Sequence, residues 1–207
     1  MIRPSINPRL FFLTKIFIIY LIICVKSFAD VSELQKDMVV VGSHDAIVKI
    51  KVFSSLTCPH CANFHIQVVP QIIKEYIESG KVQIIFIDFP LDQAAFNASK
   101  LLHCLDQKKQ MDFLDIIYKT QDNWTNASDI NDINKNLKKI VKNLGISSQQ
   151  FDKCLINEVI SDKILNKRIE ANRKYSIDST PTIIINEKKL EGSVSFKNIK
   201  KKIEKII

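Results

Sequence analysis

The chain has 207 residues, 46% hydrophobic and 25% charged, with only four Gly and six Pro. This is enough apolar length for one sizeable core and too few turn formers for an all-β protein. The formal charge is +8, and Arg3, Arg9, Lys15 and Lys26 supply half of it within the acid-free residues 1–29; the rest is mildly basic and carries no nucleic-acid footprint.

Residues 1–29 read as a cleaved signal peptide. Arg3, Arg9 and Lys15 make a positive start, Ile16 to Val25 an apolar run, and Ser27-Phe28-Ala29 puts small residues before Asp30. Lys15 interrupts the apolar stretch short of the roughly 20 residues a membrane anchor needs. Cleavage removes Cys24 and leaves Cys58, Cys61, Cys104 and Cys154 in a domain of residues 30–207. An even number of cysteines in an exported protein reads as two pairs.

Met38 to Val41 is a short strand candidate, and Gly42-Ser43-His44-Asp45 turns the chain into a main strand, Ile47 to Phe53, whose apolar residues are mostly β-branched. Phe64, Val68, Val69, Ile72, Ile73, Tyr76 and Ile77 then recur at helical spacing until Gly80. Val82 to Phe89 is almost continuously apolar, as in a strand covered on both faces. From Asp92 to about Tyr175 no strand is expected. Five amphipathic helices are: Ala94 to Leu105, Phe113 to Tyr118, Ile130 to Leu144, a short one carrying Phe151 and Cys154 with Ser147 or Ser148 as its cap, and Ile160 to Tyr175. Thr182 to Ile185 returns to strand, Asn186-Glu187 turns, Lys189 to Glu191 pairs back, and Phe196 to Ile206 closes as a helix. The order predicts an α/β fold: one mixed sheet, helices on both faces, and an all-helical insert (about 92–175) between a β-α-β and a β-β-α half.

The chemistry concentrates in Cys58-Pro59-His60-Cys61, where the main strand ends and a helix begins. Two thiols at this spacing can close a small disulfide ring. The first lies near the unpaired N–H groups and positive dipole end of the helix, which favours the thiolate, and the thiolate is the form that attacks disulfides. A zinc site would need a second pair of ligands; His60, His65, His103 and Cys104 make none, so no metal is expected. An inert structural disulfide would staple little chain. His65 and His103 are expected at the surface or the core edge. The second element is Ser179-Thr180-Pro181-Thr182, just before a strand. A Pro there can simply begin the strand; a cis Pro181 would leave the preceding backbone free to hold an extended peptide beside the cysteines.

Cys58-Pro59-His60-Cys61, the preceding Ser54-Ser55-Leu56-Thr57, Thr180-Pro181 and the helical insert together resemble the DsbA family, exported thiol:disulfide oxidoreductases with a thioredoxin fold. The resemblance implies that Cys58 is the nucleophile, Cys61 the resolving cysteine, and Pro181 cis, with Thr180 beside the site. Pro59 and His60 would tune it: Pro59 fits a first helical turn, where its missing N–H costs nothing, and the His60 imidazole would help hold the Cys58 thiolate. Stabilising the reduced form makes the disulfide a stronger oxidant. Reduced exported proteins would be the clients and a membrane-bound, quinone-linked DsbB-like protein the reoxidising partner. The protein would be a periplasmic monomer, with no cofactor of its own and no nucleic-acid partner. One departure stands out. The buried acid that family members often carry six residues before the first cysteine is Val52 here, which leaves proton transfer to Cys61 open. Cys104 and Cys154 are read as a structural disulfide between two insert helices, with a redox-sensitive pair or two free buried thiols as alternatives. The competing functions are a disulfide isomerase or reductase and a redox-inactive peptide-binding chaperone.

Overall fold

Five strands form a single sheet in the order β1-β3-β2-β4-β5: β1 (Val39–Val41), β2 (Val48–Ser54), β3 (Val82–Asp88), β4 (Thr182–Ile185) and β5 (Lys188–Lys189). The computed structural model describes residues 38–207, so the signal-peptide reading of residues 1–29 lies outside the described residues. β2 and β3 pair in parallel, from Val48 opposite Val82 to Ser54 opposite Asp88. The pairs β1–β3, β2–β4 and β4–β5 are antiparallel, and the sheet is therefore mixed, as the element order required. Ile47 falls just outside β2 and is exposed.

The helix after the cysteines, α1 (residues 59–77), is not uniform. It starts as an α-helix at Pro59–Asn63, widens to a π-helix at Phe64–Val68, resumes at Val69–Ile72 and widens again at Ile73–Ile77. Helical spacing predicts none of this. Pro70 has no N–H for the carbonyl four residues back. Just before it the ladder lengthens, with the Val69 N–H donating to the Phe64 carbonyl; such widened turns are frequent at functional sites.

Six helices follow without an intervening strand: α2 (Gln93–Cys104), α3 (Gln107–Lys119), α4 (Gln121–Thr125), α5 (Ile130–Asn143), α6 (Ser148–Leu155) and α7 (Glu158–Tyr175). Asp92, Asp106, Asp129, Ser147 and Asn157 cap five of them by accepting backbone N–H groups. Ser147, not Ser148, is the α6 cap, and Gln150 completes its capping box. The uncapped α4 is five residues long, too short for periodicity to reveal. α8 (Phe196–Ile203) ends before Ile206. The β4–β5 turn is the two-residue Asn186-Glu187, both with positive φ (42° and 68°). So tight a turn brings pairing forward to Ile185 opposite Lys188, rather than to the expected Lys189 to Glu191.

The larger core cluster joins Val48, Ile50, Val52 and Ile84 to α1, the insert and α8. A smaller one sits on the other sheet face, where Phe53, Phe89 and Ile184 meet Ala171 and Ile177, with Tyr175 packed alongside. Cys104, the last residue of α2, is disulfide-bonded to Cys154 of α6, with Cα atoms 6.2 Å apart.

Candidate active site

Cys58 is the residue just before α1 and Cys61 lies in its first turn, below Pro59 at the start of the helix. Both thiols are free and buried, Cys58 at 9% exposure and Cys61 at 1%. The Cys58 carbonyl accepts the N–H groups of Cys61 and Ala62 at 3.0 and 3.1 Å. Facing the thiols is the loop before β4, whose Thr180–Pro181 bond is cis. The Cys58 thiol donates to the Thr180 carbonyl at 3.3 Å. The Thr180 hydroxyl is buried beside the two sulfurs.

The two sulfurs are electrostatically opposite. Cys58 is pushed down to about 5 from an ordinary thiol value of 9.0, above all by the hydrogen bond from the Cys61 thiol, with further help from Thr180 and the backbone N–H groups of Cys61 and His60; burial opposes the shift. Cys61 is driven far above the ordinary thiol range, first by its burial and then by the neighbouring Cys58. The site thus pairs a sulfur that ionises readily with one that resists ionisation.

His60 enters this balance through its backbone N–H; its imidazole is exposed. His65 corrects its expected placement. It is 3% exposed, packs against Phe86 and Tyr118, and bonds through Nε2 to Asp115 Oδ1 at 2.7 Å. Burial holds its pKa below the ordinary imidazole value, against the pull of Asp115. The correction has a simple cause: α3 lies across α1, and an interior imidazole is tolerable when a carboxylate reaches it. His103, at the core edge, bonds to Asp88 Oδ2 at 2.7 Å. Val52 is fully buried and apolar. Its neighbour Lys51 is turned to Glu187 and to the Tyr175 hydroxyl at 3.1 Å.

Two supporting residues escaped sequence reading. Gln121, in the unforeseen α4, is buried and donates through Nε2 to the carbonyls of Leu56 and Cys58 at 2.8 and 3.2 Å. It clamps the loop entering α1 from the insert side. Asp92 accepts from the Thr57 hydroxyl at 2.6 Å while capping α2. Neither a glutamine in a five-residue helix nor a capping aspartate carries a local signal of its contact with the cysteine loop. Beside the thiols a groove of about 370 Å³ is lined by His60, Phe64, Thr180, Pro181 and Val194, among others. Its lining is mixed, with Phe64, Pro181 and Val194 beside the polar His60, Asn63, Ser179 and Thr180.

The fold and this dithiol facing a cis-Pro loop define a thioredoxin-type redox protein. The thioredoxin family model matches residues 34–205, and the chain belongs to that family. Among solved structures it is similar to alpha-DsbA1 of Wolbachia pipientis, at 30% identity and TM-score 0.73 over 82% of this chain and 90% of that one. Among relatives it is 30% identical to the "Probable disulfide bond formation protein D" of Bacillus anthracis, over 79% of this chain and 76% of the relative. It is 26% identical to disulfide bond formation protein D of Bacillus subtilis, over 82% of this chain and 77% of the relative. Within the family it is DsbA-like, a protein-disulfide oxidoreductase.

Proposed function

We propose that this protein is a thiol oxidase that introduces disulfide bonds into exported proteins through Cys58 and Cys61. The observation that carries the reading is the unequal pair of sulfurs, a thiolate at Cys58 beside a proton-retaining Cys61. In the oxidised protein a client thiolate attacks Cys58 Sγ. The Cys58–Cys61 bond breaks, a client–Cys58 disulfide forms, and Cys61 leaves with the electron pair and takes up a proton. The client's second thiolate then attacks the client sulfur of the mixed disulfide and releases Cys58 as its stabilised thiolate. The client ends oxidised by two electrons and the enzyme reduced by two. Because the reduced form is the one stabilised, the equilibrium runs toward client oxidation. The groove beside Thr180 and Pro181 is where the client backbone lies, and Cys104–Cys154 is a structural brace of the insert.

Export by a cleaved leader, a periplasmic location, action as a monomer and reoxidation by a membrane quinone-linked partner belong to the same reading. They rest on residues 1–29 and on the resemblance to DsbA. Equilibration with glutathione tests the direction of the chemistry. The reference oxidant DsbA itself stands near about −120 mV and thioredoxin near about −270 mV, values of those proteins and not of this chain. A potential toward the DsbA end supports the oxidase, and one at the thioredoxin end makes the protein a reductase. Cys58→Ser separates both from a redox-inactive peptide binder, which would keep its activity.

A further inference from the structure

Resting on the oxidase reading, the opening of the Cys58–Cys61 bond sets a demand for a proton that no acidic side chain beside the sulfurs meets. Cys61 leaves as a thiolate in a position 1% exposed, and burial there disfavours charge. Val52, on β2 in the same core cluster, has no proton to give.

A polar cluster lies one strand away in an otherwise apolar interior. Asp88 ends β3 and is the register partner of Ser54, which ends β2 four residues before Cys58. Asp88 Oδ1 accepts from the Ser99 hydroxyl at 2.6 Å, and Oδ2 bonds to His103 Nε2 at 2.7 Å. Ser54, Asp88 and Tyr118 line a small cavity together with five apolar side chains; about 10 Å³ within it is open to the centre of a water molecule, room for one water. Tyr118 is 4% exposed and lies in the same core cluster as Cys61. Its side chain meets Ser54 across this cavity and lies within electrostatic reach of both Cys61 and Asp88. At the far end His103 is partly exposed, where solvent can replace a proton. The groups facing Asp88 are Ser99 and His103 from α2, Ser54 from β2, Tyr118 from α3 and the charge of Lys167 from α7. Burial by itself would push the Asp88 carboxyl up; His103, Ser99 and Lys167 bring it below the usual carboxylate value.

We propose that Asp88 and His103, acting through Ser54, Tyr118 and the one-water cavity, deliver the proton that Cys61 takes up when its disulfide with Cys58 opens. The sulfur–sulfur electron pair goes to Cys61 Sγ. One proton moves from the Tyr118 end of the chain to that sulfur, each hydroxyl is refilled by the next, and the Asp88–His103 pair is refilled from solvent. On reoxidation of the dithiol the proton returns along the same groups. Asp88 and His103 touch neither client nor sulfur; the ionised Asp88 orients the His103 ring and passes on a proton that enters from solvent there, in place of an acid at residue 52.

The test is the rate at which dithiothreitol opens the oxidised protein, followed by stopped flow from pH 5 to 9 in H₂O and D₂O. Asp88→Asn is expected to slow opening at least about tenfold at pH 7, general acid–base catalysis being typically worth 10²–10⁴-fold. Divided by the thiolate fraction of dithiothreitol, the rate should also lose its pH dependence and its solvent isotope effect, with Cys58 still ionising at about 5. Tyr118→Phe should remove the isotope effect as well, and His103→Gln should shift the pH profile; these two carry the prediction if Asp88→Asn does not fold. A folded Asp88→Asn protein with the wild-type rate, pH profile and isotope effect overturns the proposal. So does a slower one that keeps the wild-type profile and isotope effect while only its Tm falls. Failure of the wild type to oxidise the dithiol at all is a separate result, which removes the oxidase reading and this relay with it.

Discussion

The Cys58 sulfur is held as a thiolate chiefly by one neighbour, the Cys61 thiol, which donates a hydrogen bond to it. Cys61→Ala is therefore expected to move Cys58 ionisation, followed by thiolate absorbance or alkylation rate, from about 5 well up toward the ordinary thiol value. His60→Ala should move it much less, because His60 contributes its backbone N–H, which the substitution keeps. The sign of the linkage follows. The folded value is about 5 against 9.0 for an ordinary thiol, so this thiolate stabilises the reduced protein fully above about pH 9. The contribution shrinks as pH falls toward 5 and is gone below it. The Tm advantage of reduced wild type over Cys58→Ser should follow that course. Gln121 holds the loop that carries this sulfur. Gln121→Ala removes the donor of the buried Leu56 carbonyl, while the Cys58 carbonyl keeps the Cys61 and Ala62 N–H groups, a loss of about 1–3 kcal/mol measurable by denaturant unfolding.

Among the elements, the strand ends and the first turn of α1 bring the chemistry together. β2 delivers Ser54 and the loop to Cys58, its parallel partner β3 delivers Asp88 to the same level, and β4 begins just after Pro181. The antiparallel β2–β4 pairing, Phe53 opposite Thr182, carries the Thr180 carbonyl to the cysteine side. The turn at Gly42 protects the sheet's other end. Its φ is +102°, and a Cβ there would lie 2.5 Å from the Val82 carbonyl oxygen. Gly42→Ala is expected to destabilise the fold by more than about 1 kcal/mol, since both the backbone conformation and the space exclude it. A fall in Tm with an unchanged Cys58 titration would confirm that the effect stays in the scaffold.

For the molecule as a whole, the insert makes up nearly half of the described chain and is cross-braced by Cys104–Cys154, whose partners are 50 residues apart in sequence. Closing a loop of that size is worth about 4 kcal/mol in the chain-entropy treatment. A Cys104→Ala/Cys154→Ala protein should lose stability on that order in denaturant unfolding while still oxidising a dithiol through Cys58 and Cys61. Loss of oxidase activity in a folded double variant would instead show that the brace also governs the site. The α7 helix closes the opposite sheet face over Phe53, Phe89 and Ile184, which accounts for near-continuous apolar residues in β3 rather than alternation.

Local chemistry determined much of this in advance. Hydrophobic period separated strands from helices, Gly80 and a serine cap at 147 or 148 marked two helix ends, and the Cys58-Pro59-His60-Cys61 spacing at a strand–helix junction named the redox pair, because each of these signals lies within a few residues of sequence. The tertiary structure decided the rest. It buried His65 against Asp115, clamped the cysteine loop with Gln121 from a helix too short to announce itself, and set Asp88, Ser54 and Tyr118 around one cavity. These depend on which groups meet across long separations and on how far water is excluded from them, and the sequence pattern records neither.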